Sequence, residues 1–143
     1  MSTKESDERP VGLTRQAGFE IGVRRTLPVR CEDAWQFLTS DAGVRIWLGD
    51  ASGFQWTEGA AYQLADGAIG RIRVFTPNSH LRLTWHPPDW PRASTIQVRV
   101  IPRGNLTVVA FHQEHLPGLA EREERRAYYT TVLDALERVF RSR

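Results

Sequence analysis

Cysteine is almost missing from this 143-residue chain: Cys31 stands alone, so no disulfide forms within it. A lone thiol fits a reducing compartment, and a cytoplasmic protein is expected. Lysine is as scarce, with Lys4 the only one, and 19 Lys+Arg against 17 Asp+Glu leave a formal charge of +2. The arginines are scattered among acids instead of gathered into a stripe with aromatics, which argues against a nucleic-acid partner. No apolar run approaches the roughly 20 residues needed to cross a bilayer, so no membrane association is expected. The opening MSTKESDERP has no apolar signal-peptide core. There is no Gly-x-Ser-x-Gly elbow, phosphate-cradling glycine loop or dinucleotide fingerprint. No cofactor is expected and no catalytic residue is assigned; the balance is against an enzyme.

What remains is an ordinary globular composition, 41% hydrophobic and 25% charged, long enough for one domain. Residues 1–18 read as a disordered tail, polar and poor in bulky apolar groups, and residues 19–143 as a single domain. Phe19, Ile21 and Val23 alternate with polar neighbours as in a half-buried strand that Pro28 ends. Cys31–Leu38 places Ala34, Trp35 and Leu38 on one helical face, with Glu32 and Asp33 in the first turn where the helix dipole favours acids. Ser40 caps a second short helix running to Trp47, with Gly49 as its stop.

From there the period is two. Strands are expected over 60–64, 71–75, 81–85, 95–101 and 107–113, with Asp66-Gly67 and Arg103-Gly104-Asn105 as turns. Ile72 and Val74 point inward in this register, as do Leu81, Leu83 and Trp85. The proline-rich loop 86–92 cannot be a central strand. A helix over 119–140, about 33 Å long, ends the chain, with Tyr129, Val132, Leu133, Leu136 and Phe140 as its buried stripe. The architecture is therefore α+β: a curved antiparallel sheet of about six strands, covered by the only helix long enough to do so.

Those residues also carry a resemblance. Trp47-Leu48, Gly59, Asp66-Gly67 and Gly70, then Leu81, Leu83, Thr84 and Trp85 after Pro77, fall in a familiar order. Thr107, Val109, Phe111 and Gln113 follow, and Tyr129, Val132, Leu133 and Leu136 keep a Trp-x-x-Val-Leu-x-x-Leu spacing. From about Glu20 to Phe140 the chain resembles the activator-of-Hsp90-ATPase-like branch of the START/Bet v 1 (helix-grip) superfamily. The resemblance implies a helix-grip fold with the last helix across the concave sheet face. It departs at Tyr128-Tyr129, where relatives have Gly-Trp, so Tyr128 fills space open in them. The eukaryotic co-chaperone also has an N-terminal Hsp90-binding domain where this chain has a short tail, which argues against full co-chaperone activity.

Trp35, Trp47, Tyr62, Ile72, Val74, Leu83, Trp85, Ile96, Val98, Val109, Phe111 and Leu133, with Tyr129, either line a cavity for a small apolar ligand or simply fill the core. Gln113, Arg125, Tyr128 and Tyr129 are the polar groups expected near its mouth; Gln113 shares strand parity with Phe111, and Arg125 lies one helical turn before Tyr129. The leading expectation is a non-catalytic module holding a small hydrophobic ligand between sheet and helix. The alternatives are a protein-interaction module related to the Hsp90 activator, partnered by that chaperone, and a cyclase- or hydrolase-type enzyme on the same scaffold. No metal is expected: in His112-Gln113-Glu114-His115 a strand points His112 and Glu114 one way and His115 the other. Cys31 sits where a helix favours a thiolate, Asp89 and Trp90 sit where a loop gates a ligand, and both have ordinary structural readings. A monomer is expected, or a homodimer through Arg71, Arg73 and Phe75 on the outer sheet face.

Overall fold

The computed structural model describes residues 13–14, 18–51 and 53–143. Most of the expected tail lies outside these residues; Leu13–Thr14 (β1) pairs with Gly18 and Phe19 as a two-residue stub. The remaining strands are β2 (Gly18–Leu27), β3 (Ala61–Gln63), β4 (Ile69–Thr76), β5 (His80–Trp85), β6 (Ser94–Arg103) and β7 (Leu106–Leu116). The helices are α1 (Cys31–Leu38), α2 (Asp41–Trp47) and α3 (Leu119–Arg141). The sheet is antiparallel throughout, in the order β1-β2-β7-β6-β5-β4-β3. Consecutive strands β3 to β7 form a meander, and β2 closes onto β7. The α1–α2 connection therefore carries the chain from one side of the sheet to the other.

Local chemistry explains where these elements start. The Ser40 hydroxyl accepts the Gly43 N–H at 3.1 Å, capping α2. Gly43 is also required sterically, because a Cβ there would stand 1.8 Å from the Phe37 carbonyl oxygen of α1. The 23-residue α3 buries Arg122, Arg125, Tyr129, Val132, Leu133, Leu136 and Phe140, a stripe at three- and four-residue steps. Burial alternates along β6, with Ser94, Ile96, Val98 and Val100 inward. Arg25 on β2 ties the sheet to α3 through Asp134 and Glu137, at 2.7 and 3.1 Å. No described helix is long and apolar enough to cross a membrane.

Two bulges break the simple alternation. On β4 the register shifts between Ile72 and Val74, so one extra residue opposes β5. Val74, expected inward, pairs with the outward Arg82, while Phe75, expected outward, packs its ring 5.6 Å from Trp35 and 5.3 Å from Trp56. On β7 the register shifts opposite Phe19–Ile21, and His115 adopts a left-handed φ of 67°. Gln113 and Leu116 are consequently both buried although three residues apart.

Candidate functional site

Twenty-odd apolar side chains close the space between the sheet and α3. Trp47, Ile72, Leu83, Ile96, Val98, Val109, Tyr129 and Leu133 have no exposed surface, and Phe111 and Trp35 nearly none. Their rings interlock: Phe111 stacks on Tyr129 at 5.0 Å and lies 6.2 Å from Trp47, whose N–H donates to the Leu38 carbonyl at 2.8 Å. Tyr62 reaches across Gly70 to donate to the Thr84 carbonyl. At Gly70 a Cβ would meet that same oxygen at 2.0 Å, so only glycine lets the ring pass.

Within this apolar layer sits one polar cluster. Arg125 donates from Nε to Gln113 Oε1 at 2.9 Å and from Nη2 to the Tyr129 hydroxyl at 3.2 Å. Tyr129 donates in turn to Gln113 Oε1 at 2.7 Å; Gln113 Nε2 donates to Ser94 Oγ at 2.8 Å, and Ser94 to the Trp85 carbonyl at 3.1 Å. The chain of bonds joins α3, β7, β6 and β5, and such chains strengthen one another in a low-dielectric interior. The Arg125 guanidinium also lies over the rings of Trp85 and Tyr128, 4.2 and 4.1 Å from their centroids, each contact worth about 0.5–2 kcal/mol. Arg125 is only 7% exposed, yet every partner it has among the described residues is neutral.

The contrast with its neighbour sharpens the point. Arg122, one turn earlier and equally buried, donates to the Glu20 carbonyl and pairs with Glu123 at 2.6 Å. Arg122 is a compensated structural arginine. A buried guanidinium without a carboxylate forfeits its hydration and gains only dipoles and ring faces in return. One polar atom here is left without a hydrogen bond: Trp85 Nε1 is buried and has no partner among the described residues.

Burial pushes the acidity of the tyrosines down. The Tyr129 pKa is raised by desolvation, against the pull of Arg125, and that of Tyr128 is pushed up to about 12 for the same leading reason. Tyr128 donates to the Trp47 carbonyl at 2.7 Å, joining α3 to α2. Trp90, from the loop between β5 and β6, packs edge-on to Trp85 at 5.0 Å; His86 Nε2 donates to the Trp90 carbonyl at 2.9 Å and holds that loop. Tyr128 and Trp90 are both half-buried, so the aromatics packed on Arg125 and Trp85 are the part of the cluster that meets solvent.

The other expected features fall apart from this cluster. His112 and Glu114 face a shallow hollow on the outer sheet face with Arg82, Thr95 and Gln97, and His112 meets Glu20 at 2.9 Å. No group of three metal-ligand side chains converges among the described residues. Cys31 contacts the Asn78 carbonyl, and burial followed by Glu32 raises its pKa, so the group is a thiol. A hollow of about 900 Å³ lies against β3 and β4, where Tyr62 alone of the expected ligand-lining residues joins Ile69, Arg71, Arg73, Thr84 and His86. Sequence reasoning missed Ser94, the link between Gln113 and Trp85. The signal was present, because Ser94 shares strand parity with Ile96 and Val98.

Comparison with known proteins places the architecture. Residues 28–141 match the family described as activator of Hsp90 ATPase homolog 1-like protein. No curated protein sequence matches the chain. Among solved structures, CalU16 from Micromonospora echinospora superposes with a TM-score of 0.76 at 21% identity, over 89% of this chain and 80% of its own. The Aha1 dimer from Colwellia psychrerythraea gives 0.68 at 20% identity, over 82% of this chain and 92% of its own. An HSP90 activator from Plasmodium falciparum gives 0.59 at 20% identity, over 70% and 75%. At these identities the likeness is one of fold: helix-grip, a curved antiparallel sheet around a long C-terminal helix.

Proposed function

The chain belongs to the activator of Hsp90 ATPase homolog 1-like family, and from that premise we propose a non-catalytic binding module for a small molecule with an apolar body. The ligand sits at the end of the sheet–helix interface where Arg125, Trp85 and Tyr128 meet. The observation that carries this reading is the buried Arg125 with only neutral partners among the described residues. A group that costly to bury is retained where it recognises something, as polar groups in apolar pockets commonly do. Native mass spectrometry of protein purified from its own host, against a denaturing spectrum, tests it. A stoichiometric mass lost on denaturation is expected; a bare mass in every preparation contradicts the reading.

A second reading has its own support. Two fold neighbours are an Aha1 dimer and an Hsp90 activator, and the hollow against β3 and β4 exposes Ile69, Arg71 and Arg73 as a contact surface. A protein-interaction module partnered by Hsp90 predicts that Hsp90 from the same cell is retained by the immobilised chain. Charge reversal at Arg71 and Arg73 then abolishes retention, and indifference to that reversal counts against it.

A further inference from the structure

We infer that the anion missing beside Arg125 is supplied by the ligand, as a carboxylate held jointly by the Arg125 guanidinium and the Trp85 indole N–H. The inference rests on the binding-module reading and specifies its ligand class. Two independent observations meet at one place. Nε and one Nη2 hydrogen of Arg125 are committed to Gln113 and Tyr129; both Nη1 hydrogens and the second on Nη2 have no acceptor among the described residues. Trp85 Nε1 is a buried donor with no acceptor among the described residues, on the very ring over which the guanidinium lies at 4.2 Å. The guanidinium edge and the indole N–H both suit an acceptor-only group, and a carboxylate offers two oxygens that accept from a guanidinium fork.

The surroundings narrow the choice. The carboxylate of Asp66 accepts the Ala68 N–H at 3.0 Å and forms no ion pair with Arg125. The rings of Trp85 and Tyr128 flank the guanidinium at 4.2 and 4.1 Å, so the ligand anion is met at the open edge of the guanidinium and not on its faces. The apolar body of the ligand then leans on Trp90 and Tyr128, the half-buried aromatics at the surface.

Calorimetric titration of the full chain with phenylbutyrate and with phenylbutanol, equal in shape except for the carboxylate, tests the inference. The acid is expected to bind at least about tenfold tighter than the alcohol, the factor for a hydrogen bond to a charged group. Trp85→Phe removes the donor and keeps a ring, and should weaken the acid about tenfold and narrow its preference over the alcohol. Arg125→Met should abolish the preference while the Tm holds or rises, because Gln113 Oε1 keeps the Tyr129 donor and no bare charge remains. Equal affinity for acid and alcohol overturns the carboxylate and leaves the binding module standing. A preference that survives both variants places the acid elsewhere and overturns the site. Displacement by inorganic phosphate as effective as by acetate overturns the choice of a carboxylate. Binding of neither probe overturns the carboxylate site while the native mass spectrum decides the module by itself, and if Arg125→Met fails to fold, Trp85→Phe decides alone.

Discussion

Burial sets the acidity of every tyrosine in the protein. Tyr62, Tyr128 and Tyr129 are its only 3 tyrosines, and desolvation is the largest cause of a raised pKa at each. A folded pKa above the unfolded value of about 10 means stability that is fully present below pH 10 and lost as pH rises toward the folded values. One lysine and non-titrating arginines leave little else ionising in that range. A spectrophotometric titration should therefore show no tyrosinate step near pH 10, and tyrosinate should appear together with unfolding. A separate step near pH 10 with the fold intact would contradict the burial of that residue. Much at this scale was readable from sequence: the four-residue spacing of Arg125 and Tyr129 placed them on one face, and the parity of Phe111 and Gln113 placed the amide inward. What spacing does not encode is satisfaction. That Arg122 has a carboxylate and Arg125 has none among the described residues depends on where Glu123 turns, and that is set by three-dimensional packing.

Among the elements, α2 and the β3–β4 pair make the sharpest demands on single residues. Removing the Ser40 hydroxyl frees the Gly43 N–H it accepts, so Ser40→Ala should cost about 1 kcal/mol in denaturant unfolding, with the slope unchanged. Gly70→Ala places a methyl against the Thr84 carbonyl at 2.0 Å and the Tyr62 hydroxyl at 2.5 Å. Overpacking of that kind costs about 1–3 kcal/mol, and a Tm equal to wild type would refute the close approach. Helix ends and most strands announced themselves, since caps, prolines and period-two runs are local signals. The bulges on β4 and β7 did not. One extra residue opposite a partner strand is a property of the pair, and it moved Phe75 inward and Val74 outward against the alternation of their own strand. Trp56 was equally opaque: it belongs to no periodic run, yet it stacks on Phe75 and donates to the Thr39 carbonyl at 2.8 Å.

At the scale of the whole molecule, a sheet that curls round one helix buries its apolar faces almost completely and leaves a costly exception at one end. The exception is the Arg125 cluster, and the account stands on the claim that it waits for a ligand anion. The indole N–H groups report on that claim directly. In a two-dimensional nitrogen–proton correlation spectrum, Trp85 is identified by the signal that Trp85→Phe removes. The N–H groups of Trp47 and Trp56 serve as internal controls, since each is already held by a backbone carbonyl at 2.8 Å. Titration with phenylbutyrate should move the Trp85 signal downfield and leave those two in place. A Trp85 signal that stays fixed while phenylbutyrate binds would contradict the account.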